Sequence, residues 1–489
     1  MNVIRLPYPV VASLGLASGS YFNKLFIHRD GLFFWLTIAG VFISLALSLL
    51  PVVKAGFRRL AIAILFAGFG VWLAMVPLVM ELQWHLPFEK QGIKQLQGTV
   101  VDDSRLSQSG KRWFVLDLDY ALDAVGNREP ANGRVHVLFP DSLEVLSGQR
   151  LSVYGSFLDG GEWFSASKLL VDGYRNSYFR LRGQLRKRFL GELRVLPASS
   201  AVLLEALLAG SLDSMPINTR RIFRENGLMH VLALSGMHIG IMAALPVFFF
   251  RRLFGLRPAL IFTAILLGCY VLLVGPRASL LRAAFFFLFT GVWILARRRP
   301  WNIVILAQCF LVLSFFVPSL LDDVGFQLSF LTLAGIMVFS PSLMALFGGA
   351  LPEPGRLVYG PIAAGVAASL AGLPLSMLLW GMWYPQGILL TVIVVPLAML
   401  VMYLGLALLA AYLCMLPWQF LIPLEHLIEL VSRILVGVLE TTSGLGAIDL
   451  HGLTGRALVL VLVTIMVLLA WRHARLKRYY CEVSCITVN

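Results

Sequence analysis

Between Met229 and Trp471 the chain strings together eight apolar segments, near 230-250, 258-274, 278-296, 301-317, 325-340, 358-380, 388-414 and 455-471. Most of them approach the ~20 residues that a helix needs to cross the hydrocarbon of a bilayer, where every backbone group must bond within its own segment. Three more runs precede them, Tyr8 to Phe22, Leu32 to Val53 and Leu60 to Val79. Charged residues are only 13% of the 489, about half the ~25% of soluble domains. Together these features exclude a water-soluble globular fold and predict a multi-pass α-helical membrane protein. The first run has the length of a signal-peptide core, but a full-length span follows at once, so an anchoring helix is expected rather than a cleaved leader. A weaker amphipathic helix is expected at 425-443.

One polar block interrupts this pattern. From Lys94 to Tyr174, short β-rich runs near 94-101, 112-120, 134-140, 150-157 and 162-170 are separated by turn clusters such as Gly126-Asn127 and Asp159-Gly160-Gly161. Five strands in about 80 residues suit a small OB-like β-barrel, although small sandwiches share the pattern. The expected organisation is N-terminal transmembrane helices in 1-90, a β-domain in 91-175, a basic amphipathic region in 176-229, a transmembrane domain in 230-472 and a basic tail in 473-489. Cys269, Cys309 and Cys414 lie inside apolar runs, so no disulfide framework is legible, and Cys481 and Cys485 lack a second ligand pair for a metal.

The formal charge of +14 is unevenly spread. Residues 91-175 hold nine basic and eleven acidic side chains, whereas 176-229 hold nine basic and four acidic. In the latter, RNSYFRLRGQLRKRFLGELR sets Arg180, Arg182, Arg186, Lys187, Arg188 and Arg194 among aromatic and aliphatic residues. Such a helix suits either lipid anchoring or contact with an anionic polymer. The positive-inside rule places Lys54, Arg58 and Arg59, then Arg251, Arg252 and Arg257, then Arg297-Arg298-Arg299 on the cytoplasmic side, which puts the β-domain outside. The basic carboxyl end fits if one segment is re-entrant or if the helix near 430 crosses, and Pro396 makes 388-414 the suspect.

Polar residues at membrane depth are functional candidates by default. HVLALSGMHIG contains His230, Ser235, Gly236 and His238; on one helix the two histidines would lie about 80° apart and could share a lumen. VGPRASLLRAAFF places Arg277 at a hairpin tip and Arg282 about one turn deeper. LDDVGFQLSFLTLAG holds Asp322, Asp323, Gly325, Gln327 and Ser329, and either aspartate is a candidate partner for those arginines. Pro374, Pro385 and Pro396 free backbone carbonyls in a fourth region.

These three blocks, in this order and after an external β-domain, resemble the ComEC family of competence proteins, inner-membrane channels for DNA uptake in natural transformation. The resemblance covers roughly residues 8 to 470. It implies passage of single-stranded DNA into the cytoplasm, with the residues of the three blocks lining or supporting a channel and no catalytic residue, cofactor or metal in this chain. Single-stranded DNA and membrane lipid are the expected partners, together with a separate nuclease, a DNA receptor and a cytoplasmic ATP-dependent motor. Many family members end in a metallo-β-lactamase-like domain, but no HxHxDH motif and no GxxxxGK[ST] loop occurs here. The charge distribution favours the 176-229 stretch over the β-domain for first contact with phosphates. The alternatives are a small-solute or ion transporter and, more remotely, an intramembrane serine hydrolase built on Ser235 and His238.

Overall fold

The computed structural model describes Ser13 and residues 92–468, apart from 107–110, 140–143, 159–162, 348–352, 416, 445, 451, 453–454 and 467. Apart from Ser13, the three N-terminal segments and the expected 1-90 unit lie outside the described residues, as does the 473-489 tail.

The β-domain comprises β1 (Ile93–Val100), β2 (Arg105–Leu106), β3 (Arg112–Asp123), β4 (Arg128–Pro130), β5 (Arg134–Phe139), β6 (Gln149–Phe157) and β7 (Trp163–Tyr174). Strand alternation explains it: Phe114, Leu116 and Leu118 of β3 and Val135, Val137 and Phe139 of β5 are buried, while their neighbours face outward. The five long strands pair in a closed circuit, β1–β3–β5–β7–β6–β1, in which only β5–β7 is parallel. That is the strand order expected of an OB-like domain, and closure leaves few backbone groups unpaired.

Helices follow: α1 (Ser177–Arg194), α2 (Ala198–Leu204), a π-turn (Glu205–Ala209), α3 (Ile217–Glu225), α4 (Met229–Leu232), α5 (Gly236–Phe254), α6 (Leu256–Val274) and α7 (Ala278–Leu295). Next come α8 (Asn302–Phe316), a 3-10 turn (Pro318–Asp322), α9 (Val324–Phe347), α10 (Glu353–Trp380), α11 (Gln386–Leu413), α12 (Trp418–Thr442) and α13 (Gly455–Met466). Between α10 and α11 a two-residue strand, β8 (Met382–Trp383), pairs with β9 (Ile448–Asp449). Six described helices are long and apolar enough to cross a membrane, namely α5, α6, α7, α9, α10 and α11. The chain is a multi-pass membrane protein with a small β-domain.

Three expectations need correction. The 388-414 segment is not interrupted at Pro396: α11 runs unbroken through it for 28 residues. The break falls instead at Ala233–Ser235, which are extended and split the first block between α4 and α5. The 176-229 stretch is not wholly an interfacial helix either. Its Leu203, Leu204, Leu207 and Leu208 are buried in one core with Val394, Val401, Met402, Ile428 and Leu435 of α11 and α12.

Candidate functional site

The break before α5 is where the chemistry concentrates. Ser235 is the residue preceding the helix, and its backbone N–H donates to His238 Nδ1 at 3.0 Å, with Ser235 Oγ 3.1 Å from the same nitrogen. Nδ1 is thereby the acceptor, so the neutral ring carries its proton on Nε2. His238 is fully buried and Nε2 has no partner among the described residues. This arrangement caps a helix; a hydrolytic triad would need an acid on that free nitrogen. His230 stands on α4, exposed, with Nδ1 3.1 Å from the Gly227 carbonyl. The two histidines therefore do not share a helix face, because the premise of one continuous helix fails at Ala233–Ser235.

Arg282 sits in the second turn of α7 at 8% exposure. Its guanidinium lies over Gly236: a Cβ there would be 2.9 Å from Nη2, so only glycine admits the arginine at this distance. Among the described residues no carboxylate pairs with Arg282, and its Nε is buried without an acceptor. The first-turn N–H groups of α5 lie beside it, and a helix N-terminus adds partial positive charge. An unneutralised cation beside a helix start is an anion-seeking locus, and its burial makes an unpaired state costly.

The third block serves this hairpin by packing. Asp323 does not reach Arg277 or Arg282; its Oδ1 instead accepts the Phe326 N–H at 2.6 Å and starts α9. Gln327 Nε2 donates to the Leu321 carbonyl at 2.7 Å, tying down the 3-10 turn, and Ser279 of α7 donates to Ser329 at 3.0 Å. Gly325 lies in the turn that Asp323 caps. Asp322 ends the 3-10 turn. Arg277, just before α7, is exposed and reaches the Gly210 carbonyl with Nη2 at 2.9 Å.

Of the six cations expected on the basic helix, α1 exposes Arg180, Lys187, Arg188 and Arg194. Arg182 and Arg186 turn inward, 5% and 3% exposed, and Arg194 pairs with buried Glu205 at 2.7 Å. A phosphate contact through Arg182 or Arg186 is therefore blocked by their carboxylate partners, Asp103 and Glu144. The aromatic side chains of the 176-229 stretch are also split: Phe223 is buried in the helical core, whereas Tyr178 is exposed.

Around these arginines the two carboxylates behave differently. Burial would raise Asp103, but the Arg182 hydrogen bond and the charges of Arg186 and Arg182 outweigh it and hold it below the ordinary carboxylate value. For Glu144 burial dominates over the attraction of Arg186 and raises its carboxyl. A raised folded-state value means that the ionised form costs stability as pH climbs from the ordinary glutamate value through the raised one. Glu144→Gln should thus melt at a higher temperature than the parent at pH 8. The gap should close as the pH falls toward about 4.3; a lower melting temperature at pH 8 would show that the Arg186 contact outweighs burial.

Sequence reasoning missed a second surface. On the outside of the barrel, Trp113 of β3, His136 of β5 and Trp163 of β7 form one aromatic cluster. His136 and Trp163 stack with centroids 4.9 Å apart, and Trp113 lies 6.0 Å from Trp163. The Arg105 guanidinium covers the Trp113 ring at 5.5 Å. Averaging charge over residues 91-175 hid this patch. The alternation of Trp113 with buried Phe114, and of His136 with buried Val135 and Val137, is the signal that could have found it.

Among the described residues there is no cluster of His, Cys, Asp or Glu arranged to hold a metal. Residues 207–475 match the family model described as "Competence protein". The ComE operon protein 3 of Bacillus subtilis (strain 168) is 33% identical over 140 residues, 28% of this chain and 18% of that relative's length. No solved structure matches.

Proposed function

As the chain belongs to the Competence protein family, we propose that it conducts single-stranded DNA across the cytoplasmic membrane during transformation. The observation that carries the reading is Arg282, a buried guanidinium without a carboxylate partner among the described residues, set beside the start of a broken helix. A phosphodiester passing that point would supply the missing negative charge without base specificity. Ser235, Gly236 and His238 shape the same helix start, Arg277 stands just before α7 at the hairpin tip, and Asp323, Gly325, Gln327 and Ser329 hold α9 against α7. His230 and Asp322 flank these elements and are proposed as supports rather than as contacts.

The same geometry supports an external β-domain. Arg257 lies in the first turn of α6 and Val274 ends it, roughly 26 Å apart at 1.5 Å per residue. The arginine-rich loops at 251-257 and 297-299 therefore lie at the opposite end of the hairpin from the β-domain contacts. With those loops cytoplasmic, the β-domain stands outside. Its Arg105, Trp113, His136 and Trp163 then offer stacking to unpaired bases ahead of the hairpin tip, with Arg180, Lys187 and Arg188 nearby in sequence. This moves first contact from the basic stretch, where the charge count placed it, to the barrel. A small-solute or ion transporter would also use a broken helix, but it has no need of that aromatic surface.

The activity needs a separate receptor to deliver DNA, a nuclease if one strand is degraded, and a cytoplasmic motor. Deleting the chain from a naturally transformable host tests the proposal. Labelled DNA should still bind the cell surface, while transformants carrying its marker disappear; undiminished transformation would refute a channel role.

A further inference from the structure

The proposed path makes no use of one buried polar cluster, formed by Asp103, Glu144, Arg182 and Arg186 where the β-domain meets the helices. Asp103 lies just after β1. Its Oδ1 accepts from Arg182 Nη1 at 3.0 Å and from the Ser147 N–H at 2.9 Å, while its Oδ2 accepts from Arg182 Nη2 at 2.7 Å. The pair is bidentate, which fixes the plane of the guanidinium and not merely its distance.

The same Nη2 also donates to the carbonyl of Val274, the last residue of α6, at 3.1 Å, and Arg186 Nη1 reaches that carbonyl at 3.2 Å. A helix end leaves its last carbonyls unpaired and carries partial negative charge, so two cations there satisfy both needs. Three successive carbonyls at the end of the π-turn receive donors as well. Leu208 accepts from the Tyr270 hydroxyl at 2.8 Å, Ala209 from Arg186 Nη1 at 3.4 Å and Gly210 from Arg277 Nη2 at 2.9 Å. Tyr270 and Arg277 flank the hairpin tip, so the tip is bonded on one side to arginines of α1, one of which Asp103 of the β-domain holds, and to the π-turn on the other.

Resting on the channel reading above, we infer that Asp103 is a positioning residue through which the β-domain holds the α6–α7 tip, and Arg277 with it, against the π-turn. Asp103 orients Arg182, and its charge offsets two adjacent arginines that would otherwise repel; Glu144 and Asp103 stand about equally far from Arg186, at 3.6 and 3.7 Å, but of the two carboxylates Asp103 is the one that also bonds Arg182. Without Asp103, Arg182 keeps no carboxylate to fix its fork, and the Val274 carbonyl is left with Arg186 as its fixed donor. A β-domain occupied by ligand would then no longer be mechanically tied to the hairpin it feeds.

Amide hydrogen exchange on the full chain in lipid nanodiscs, without DNA, tests this. In Asp103→Asn, peptides spanning 268-282 should exchange at least about tenfold faster, which corresponds to ~1.4 kcal/mol, while the barrel peptides at 112-139 keep the parental rate. Unchanged exchange at 268-282 overturns the inference. If Asp103→Asn also loosens the barrel, Arg182→Lys decides, because it retains the charge on α1 and removes only the fork. Faster exchange confined to 268-282 then supports the clamp, and any other pattern overturns it. The measurement is independent of transport, so a failed channel reading would leave the clamp result intact and the reverse.

Discussion

Arg282→Gln should lower DNA internalisation by roughly 10- to 100-fold while the protein stays in the membrane at parental abundance. The range follows from losing one charge-assisted hydrogen bond to a passing phosphate, worth about 1.5–3 kcal/mol, at ~1.4 kcal/mol per tenfold. What makes the result diagnostic is the direction of the stability change. A buried charge with a paired acid usually destabilises when cut, because its partner is left uncompensated. Arg282 has no acidic partner among the described residues, and its Nε is already orphaned. Removing the charge therefore relieves a desolvation cost, and thermal stability should hold or rise as uptake falls. Arg282→Lys keeps the charge without the fork and should fall between. Gly236→Ala should act in the same direction as Arg282→Gln, since its new Cβ would stand 2.9 Å from Nη2 and push the guanidinium away. Uptake within twofold of the parent in Arg282→Gln would remove this residue from the path.

The second large effect is expected on the barrel. Trp113→Ala combined with Trp163→Ala should weaken binding of a single-stranded oligonucleotide by about 10- to 100-fold or more at fixed salt, because stacking contributes about 1–3 kcal/mol per base. The dependence of that affinity on salt should be unchanged, since no cation is lost. Arg105→Ala should do the opposite: a modest loss of affinity with the slope of log K against log salt reduced by about 0.7, the value of one phosphate contact on a single strand. Filter binding or fluorescence anisotropy over a salt series separates the two. Parental affinity in the double tryptophan variant would return first contact to the exposed cations of α1.

Much of the architecture was legible because its causes are local. The five long strands could be placed from alternation alone: in β3 the inward residues Phe114, Leu116 and Leu118 are separated by outward ones, and no distant contact is needed to recognise that period. The spanning helices announced themselves through length and lack of charge, as in α6 and α7. Helix continuity was harder. Pro396 suggested a break, but a bilayer helix tolerates an internal proline when neighbours cover the freed carbonyl, and α11 runs on. Ser235-Gly236 carries no such conspicuous signal, yet the helix starts there because Ser235 and His238 bond to each other and Gly236 makes room for Arg282.

The functional residues divide the same way. That His238, Arg282 and Asp323 are unusual at membrane depth is a statement about composition, and the sequence by itself determined it. It also determined the family resemblance, the fold class and the charge asymmetry between the loops at 251-257 and 297-299 and the rest of the bundle. Tertiary structure alone decided what each group faces. Arg182 and Arg188 are both arginines of one helix, but one is clamped by Asp103 from 79 positions away and the other is exposed. Asp323 caps its own helix and leaves Arg282 without an acid among the described residues. Trp113, His136 and Trp163 become one surface only when β3, β5 and β7 pair. The reason is range: hydrophobic period and helix length are set within a few residues, whereas the pairing or exposure of a charge depends on groups brought together from distant parts of the chain.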